Sequence, residues 1–204
     1  AAVLRSLGDR SYDKRKVGAM EVEKAVRTAH VAGDTAQVEA IVDMLIKDFT
    51  CSHNPNQRKG GLVGLAGVAV GLQEATKDVL DRLVPAVLKC FGDQEPRVRW
   101  YATESMFNIA KMARASILKH FDIIFIGLCK LFADIDVDVK NGAAHLDRLI
   151  KDIVTDSEDF DIESFIPLLQ DHMRGTNPYV RVVLVGWIRD LDTVPDIEML
   201  DHLP

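Results

Sequence analysis

The chain has 204 residues, 48% of them hydrophobic and 6% aromatic, which is enough apolar material for one or two cored units. Its formal net charge of −6 argues against a nucleic-acid platform, which needs a basic excess, although a local basic patch remains compatible with it. The apolar run from Gly60 to Leu72 falls short of the roughly 20 residues that span a bilayer.

β-Branched alternation is nearly absent and Ala, Leu, Lys, Glu and Asp are prominent, so the expected class is all-α. A basic residue followed three positions later by Ala or Leu recurs at Lys16, Lys59, Arg99, Lys140 and Arg181, at intervals of 43, 40, 41 and 41 residues. That period falls in the range of about 40–47 for HEAT or armadillo arrays. The expected fold is a HEAT-repeat (armadillo-like) α-solenoid of about five helix pairs. It is read as a single array with units near 1–33, 34–72, 73–113, 114–154 and 155–193, and the start of another at 194–204.

In chain order, 1–8 reads as the tail of a first helix and 12–32 as a second, closed by Gly33-Asp34. Unit two pairs 35–49 with 56–72 across Ser-His-Asn-Pro, and unit three pairs 76–91 with 96–113, where Pro96 suits a first turn. Unit four pairs 116–133 with 137–154. Unit five pairs 161–174 with 178–191, and 196–203 begins a further helix, so the chain reads as part of a longer array. Pro85 and Pro167 fall inside first helices, as bent first helices of HEAT arrays allow. The acidic segment DSEDFDIE (156–163) reads as a solvated turn with capping carboxylates.

The second helix of unit two carries five glycines between Gly60 and Gly71, at a cost of about 1 kcal/mol each relative to alanine. On a wheel of about 100° per residue, Leu62, Ala66 and Ala69 centre on one side. Gly60, Gly64, Gly67 and Gly71 form a narrow stripe opposite, with only Gly61 off it. Two readings of this bare outward stripe stay open: a groove that lets a partner approach closely, or second helices packed so tightly that only glycine fits.

Carried along the repeat, the stripe maps onto Val17, Glu21, Lys24 and Thr28 in unit one. It maps onto Trp100, Glu104, Phe107 and Lys111 in unit three, Asn141, His145, Arg148 and Asp152 in unit four, and Val182, Gly186, Arg189 and Thr193 in unit five. The candidate partner-binding set is therefore Glu21, Lys24, Arg58, Lys59, Gly60, Gly64, Gly67, Gly71, Trp100, Glu104, Phe107, Lys111, His145 and Arg148. Trp100 and Phe107 are the natural anchors, since interface hot spots favour aromatics. The basic column itself reads as a structural ladder between repeats, with Asp93 and Asp134 in matching places before Arg99 and Lys140.

No catalytic or metal-binding set emerges. The six histidines show no HExxH or HxxxH spacing, no GxSxG occurs, and the glycines are not followed by the Lys-Ser or Lys-Thr of a phosphate loop. Cys51, Cys90 and Cys129 stand one repeat apart in apolar contexts; an odd count, no CxxC and no leader point to buried thiols in a reducing compartment.

Four stretches are more specific: KRKVGAMEVEK (Lys14–Lys24), NQRKGGLVGLAGVAVGL (Asn56–Leu72), NGAAHLDRLIKDIVTDSEDFDIESFIPLL (Asn141–Leu169) and VPDIEMLDHLP (Val194–Pro204). Together they resemble the amino-terminal HEAT region of the Vac fourteen family of scaffolds, over nearly the whole chain. The resemblance implies a non-catalytic scaffold without cofactor, held peripherally through partners on the cytoplasmic face of vacuolar or endolysosomal membranes. It implies binding to the FYVE-domain phosphatidylinositol 3-phosphate 5-kinase, the enzyme that makes phosphatidylinositol 3,5-bisphosphate. Self-assembly and the antagonistic Sac-type phosphatase belong, in that family, to the carboxy-terminal part that this chain lacks. The alternative is an adaptor that contacts phosphoinositide headgroups through Arg58, Lys59, Arg97 and Arg99, or another vacuolar membrane protein.

Overall fold

The computed structural model describes residues 2–158 and 160–194. Among these residues the chain is helical, with no strands. Its contacts divide it into two compact units, Ala1–Ile117 and Leu118–Pro204, each built from antiparallel helical hairpins.

The amino-terminal unit holds α1 (Ala2–Leu7), α2 (Tyr12–Val31), α3 (Thr35–Met44), α4 (Pro55–Leu72), α5 (Leu80–Lys89) and α6 (Pro96–Ala113). The long second helices stack in sequence, α2 on α4 and α4 on α6, while α1, α3 and α5 pack beside them. Its core is aliphatic: Leu7, Val26, Leu45, Leu62, Leu65, Val84, Val98, Met106 and Ile109 are fully buried.

The second helices start where local chemistry dictates. Asn54 precedes Pro55 and its side chain accepts from the Asn56 amide; Glu95 precedes Pro96. In the other unit, Asp136 accepts from Asp138 and Val139, and Asn177, before Pro178, accepts from Tyr179 and Val180. A short polar cap satisfies amides left open at a helix start, and a first-turn proline has no amide to lose. Helices α4 and α6 both end on a non-glycine residue in the left-handed region, Gln73 (φ 54°) and Arg114 (φ 50°). Tight 3₁₀ turns follow, over Gln73–Val79 and Arg114–His120.

Those turns shorten the first helices of the third and fourth hairpins, expected from 76 and 116 but found from Leu80 and Phe121. The first helix of unit two instead continues past α3 as a wide π turn, Leu45–Thr50, with the Thr50 hydroxyl donating to the Ile46 carbonyl. Helices α5 and α9 both run through their prolines, Pro85 and Pro167. Cys90 and Cys129 are buried, and burial pushes both thiols up to about 12. Cys51 departs from expectation: it caps the π turn and is exposed.

The carboxy-terminal unit holds α7 (Phe121–Phe132), α8 (Val137–Thr155), α9 (Ile162–Met173) and α10 (Pro178–Leu191). Its core is aromatic. Phe121, Phe125, Phe165 and Trp187 meet mostly edge to face, with centroids 4.9–5.8 Å apart, a favoured geometry for π systems. Trp187 Nε1 donates to Asp147 Oδ1 at 2.8 Å, and Lys151 lies 3.2 Å from carboxylate oxygens of both Asp147 and Asp190. Burial holds the Asp147 carboxyl above its ordinary value, against the opposing pull of Lys151 and the Trp187 hydrogen bond. The helix expected at 196–203 lies outside the described residues.

Candidate partner-binding surface

Helix α4 is buried almost all round, and its glycines explain how. A Cβ on Gly60 would overlap the Leu7 carbonyl group of α1. On Gly67 it would lie 2.8 Å from the Ala19 carbonyl oxygen, and on Gly71 2.8 Å from that of Glu23, both on α2. Gly64, at the edge of the stripe toward Gly61, meets Leu45 Cδ2 at 2.6 Å, within its own hairpin. The stripe expected to face outward is thus covered by neighbouring helices, and Gly60, Gly64, Gly67 and Gly71 present no groove. Tight helix packing is what the glycines serve, with Gly67 and Gly71 against the preceding second helix and Gly60 and Gly64 against first helices.

The residues that do reach solvent lie elsewhere on α4. Beyond its first turn only Arg58, Lys59, Val63 and Val70 are other than buried. Lys59, Val63 and Val70 fall in one arc, about 100° from the glycine stripe. Leu62 and Ala69 are fully buried and Ala66 nearly so, as the core side of the wheel requires.

The helix caps explain the displacement. Ser11, Asn54, Glu95, Asp136 and Asn177 stand at intervals of 43, 41, 41 and 41. Counted from the caps, the repeating cation is Arg15, Arg58, Arg99, Lys140 and Arg181; the expected column took Lys16 and Lys59 in the first two units, one residue late. Geometry agrees. Arg15 Nη1 donates to the Asp9 and Arg10 carbonyls, Arg58 Nη1 to Ser52 and His53, and Arg99 Nη1 to Asp93 and Gln94. Arg181 Nε donates to Gly175.

Each guanidinium thus ties down the turn that enters its own helix. Arg58 also forks onto Asp93 in the next hairpin, Nε to Oδ2 at 2.6 Å and Nη2 to Oδ1 at 2.9 Å, a charge-assisted pair of the stronger kind. It is a rung of the expected ladder, carried by Arg58 rather than Lys59.

Cap-based equivalence changes what the transferred positions mean. Trp100, Glu104, Phe107 and Lys111 on α6 correspond not to the glycines but to Lys59, Val63, Ala66 and Val70, which are the outward arc of α4 and, at Ala66, its buried edge. Trp100, Glu104 and Phe107 are half-buried and Lys111 is exposed. The same line on α2 is Lys16, Met20, Glu23 and Arg27; Met20 is 59% exposed. Glu21 and Lys24 are exposed as well, but they match the glycine positions and lie to one side of the line. In the carboxy-terminal unit, His145 and Arg148 are exposed on α8. Met20, Val63 and Val70 escaped the sequence reading, and the regular spacing of the caps was the signal that could have found them.

The amino-terminal end of this surface is electrically distinctive. The Arg97 guanidinium lies over the Trp100 ring at 4.7 Å. Trp100 meets Tyr101 edge-on at 5.0 Å, and the Tyr101 hydroxyl accepts from Arg15 Nη2 at 2.7 Å. Lys59 is held below the usual lysine range, by burial first and then by the like charges of Arg15, Arg97 and Arg58, with Glu95 opposing. Among the described residues no group of three His, Cys, Asp or Glu could hold a metal ion. No described helix is long and apolar enough to cross a membrane. The arrangement offers apolar and cationic contact area for another molecule.

A family described as the Vacuolar 14 Fab1-binding region matches residues 56–152. The Protein VAC14 homolog of Arabidopsis thaliana is 51% identical over the whole chain. The Vacuole morphology and inheritance protein 14 of Saccharomyces cerevisiae is 36% identical, again over 100% of the chain. In both cases the chain spans 28% of the relative's length. A solved computationally designed armadillo repeat protein for modular peptide recognition superposes with a TM-score of 0.53 at 15% identity, covering 93% of this chain and 80% of that one. This likeness places the fold among armadillo-like all-α solenoids. Matched from end to end by these relatives, the chain belongs to the VAC14 family.

Proposed function

We propose that this chain is the part of a non-catalytic scaffold that captures the Fab1-type lipid kinase, and that the outward lines of α2, α4 and α6 are the capturing surface. One observation carries the reading: the matched region, residues 56–152, takes in α4 and α6 entire but for Pro55, and with them Lys59, Val63, Trp100 and Phe107. In this reading the kinase converts phosphatidylinositol 3-phosphate to phosphatidylinositol 3,5-bisphosphate on the cytoplasmic face of the vacuolar or endolysosomal membrane. The scaffold sits there peripherally, through its partners. His145 and Arg148 of α8, both exposed, offer further contact points on the carboxy-terminal unit.

Burial of Trp100 and Phe107 against the kinase would supply the anchoring energy, as aromatic hot spots do. The test is capture of the kinase by the full-length protein carrying Trp100→Ala and Phe107→Ala. Both rings are half-buried on an outward line, so helicity should persist while capture falls by about tenfold or more. Undiminished capture would refute the placement.

A further inference from the structure

The turn that follows α4 leaves a cleft in the amino-terminal unit. Gln73 takes the left-handed conformation, the Thr76 hydroxyl donates to the Ala69 carbonyl at 2.9 Å, and α5 begins only at Leu80. Between that turn, the ends of α2 and α4 and the start of α3 lies a cavity of about 290 Å³. Val38 and Leu72, 6% and 5% exposed, make its floor, with half-buried Ala75 and Val79 beside them. Its ionisable lining groups are Glu39, Asp78 and His30, all exposed. The two stretches that frame the cleft, 30–39 and 72–79, carry Asp34, Glu39, Glu74 and Asp78 against one lysine, Lys77. Helices α2 and α4 also bring their carboxyl ends here, whose partial negative charge favours a cation. The opposing start of α3 is already capped by Asp34, which accepts from the Gln37 amide.

We propose that this cleft seats one leucine- or phenylalanine-sized side chain of a partner polypeptide, whose neighbouring lysine or arginine pairs with Glu39 and Asp78. The volume selects the anchor: it lies at the lower limit of ligand-sized pockets, about 300–1,000 Å³, room for one large side chain and not for a helix face. The apolar floor selects a side chain over a sugar or a free ion. Charge complementarity selects its basic neighbours, and the acidic rim turns away phosphate-bearing molecules. This inference goes beyond kinase capture and does not rest on it. The cleft lies at the opposite end of α4 from Lys59 and uses none of the residues named on the outward lines.

The experiment is fluorescence anisotropy of the full-length scaffold with three dye-labelled, end-blocked pentapeptides: Lys-Arg-Leu-Arg-Lys, Lys-Arg-Ser-Arg-Lys and Glu-Glu-Leu-Glu-Glu. The proteins are the parent, Ala75→Phe, which puts a ring into the cleft, and Glu39→Lys with Asp78→Lys, which inverts its rim. Glu163→Gln, at an exposed carboxylate of α9, is the control. The parent should bind the basic leucine probe at least about tenfold more tightly than the serine probe, as burial of a leucine predicts. It should bind the acidic probe about tenfold more weakly than the basic leucine probe. Ala75→Phe and the inverted rim should each weaken the leucine probe by about tenfold or more, and the control should leave it unchanged.

Equal affinity for the leucine and serine probes would remove the apolar seat, and undiminished binding by the inverted rim would remove the acidic one; either overturns the proposal. So does a parent that binds none of the probes. Should Ala75→Phe lose its fold, the rim variant still decides, because Glu39 and Asp78 are both exposed.

Discussion

The two units solve one packing problem by opposite means. In the amino-terminal unit α2 and α4 meet backbone to backbone, because Gly67 and Gly71 put no atom between α4 and the carbonyls of Ala19 and Glu23. In the carboxy-terminal unit the space between helices is filled by Phe121, Phe125, Phe165 and Trp187, and a buried carboxylate is tied into it by Trp187 and Lys151. An interface without side chains fails when atoms are added, whereas one made of rings fails when they are removed. Close glycine contact also leaves α4 a single accessible ridge beyond its first turn, made of Lys59, Val63 and Val70.

Trp187→Ala should break the contrast most severely. Trp187 is 1% exposed, and large-to-small core changes at tryptophan cost about 3–5 kcal/mol. Loss of its Nε1 also leaves Asp147 short of a donor, so chemical denaturation should show a clear loss of stability. Gly60→Ala comes next. One methyl group there overlaps the Leu7 backbone, which cannot rotate away as a side chain can, and overpacking of this kind costs about 1–3 kcal/mol. A variant as stable as the parent would mean that α1 and α4 are not in the contact described.

Gly186→Ala sharpens the comparison with the smallest effect. A Cβ there meets only the end of the Lys151 side chain, Nζ at 3.0 Å, which has to shift by a few tenths of an ångström while keeping its pairs with Asp147 and Asp190, so the helix-propensity gain of up to about 1 kcal/mol over glycine should be only partly realised. Thermal unfolding of Gly60→Ala and Gly186→Ala side by side should therefore move in opposite directions.

The sequence made helix limits legible wherever a cap or proline marks them: α6 and α10 begin at Pro96 and Pro178 and end at Ala113 and Leu191, as expected. The orientation of each helix was harder to read. Arg15-Lys16 and Arg58-Lys59 each offer two adjacent cations, and only one of each pair repeats in register with Arg99. A slip of one residue turns a helix by about 100°, enough to exchange a packed stripe for an exposed one. Trp100 and Phe107 were therefore placed on an accessible line while the glycines assigned to the same line were buried. The distinction required knowing which carbonyls lie under Gly60, Gly67 and Gly71, and those contacts join segments far apart in the chain.

Oxidative footprinting of the full-length scaffold, alone and with the kinase bound, tests the proposed surface most directly. Met20, Trp100 and Phe107 should react in the free protein and be shielded in the complex, while Tyr179 on α10, 59% exposed, should react equally in both. Buried Met106 should stay inert throughout. Unchanged reactivity of Met20, Trp100 and Phe107 on kinase binding, with shielding at Tyr179 instead, would contradict the assignment.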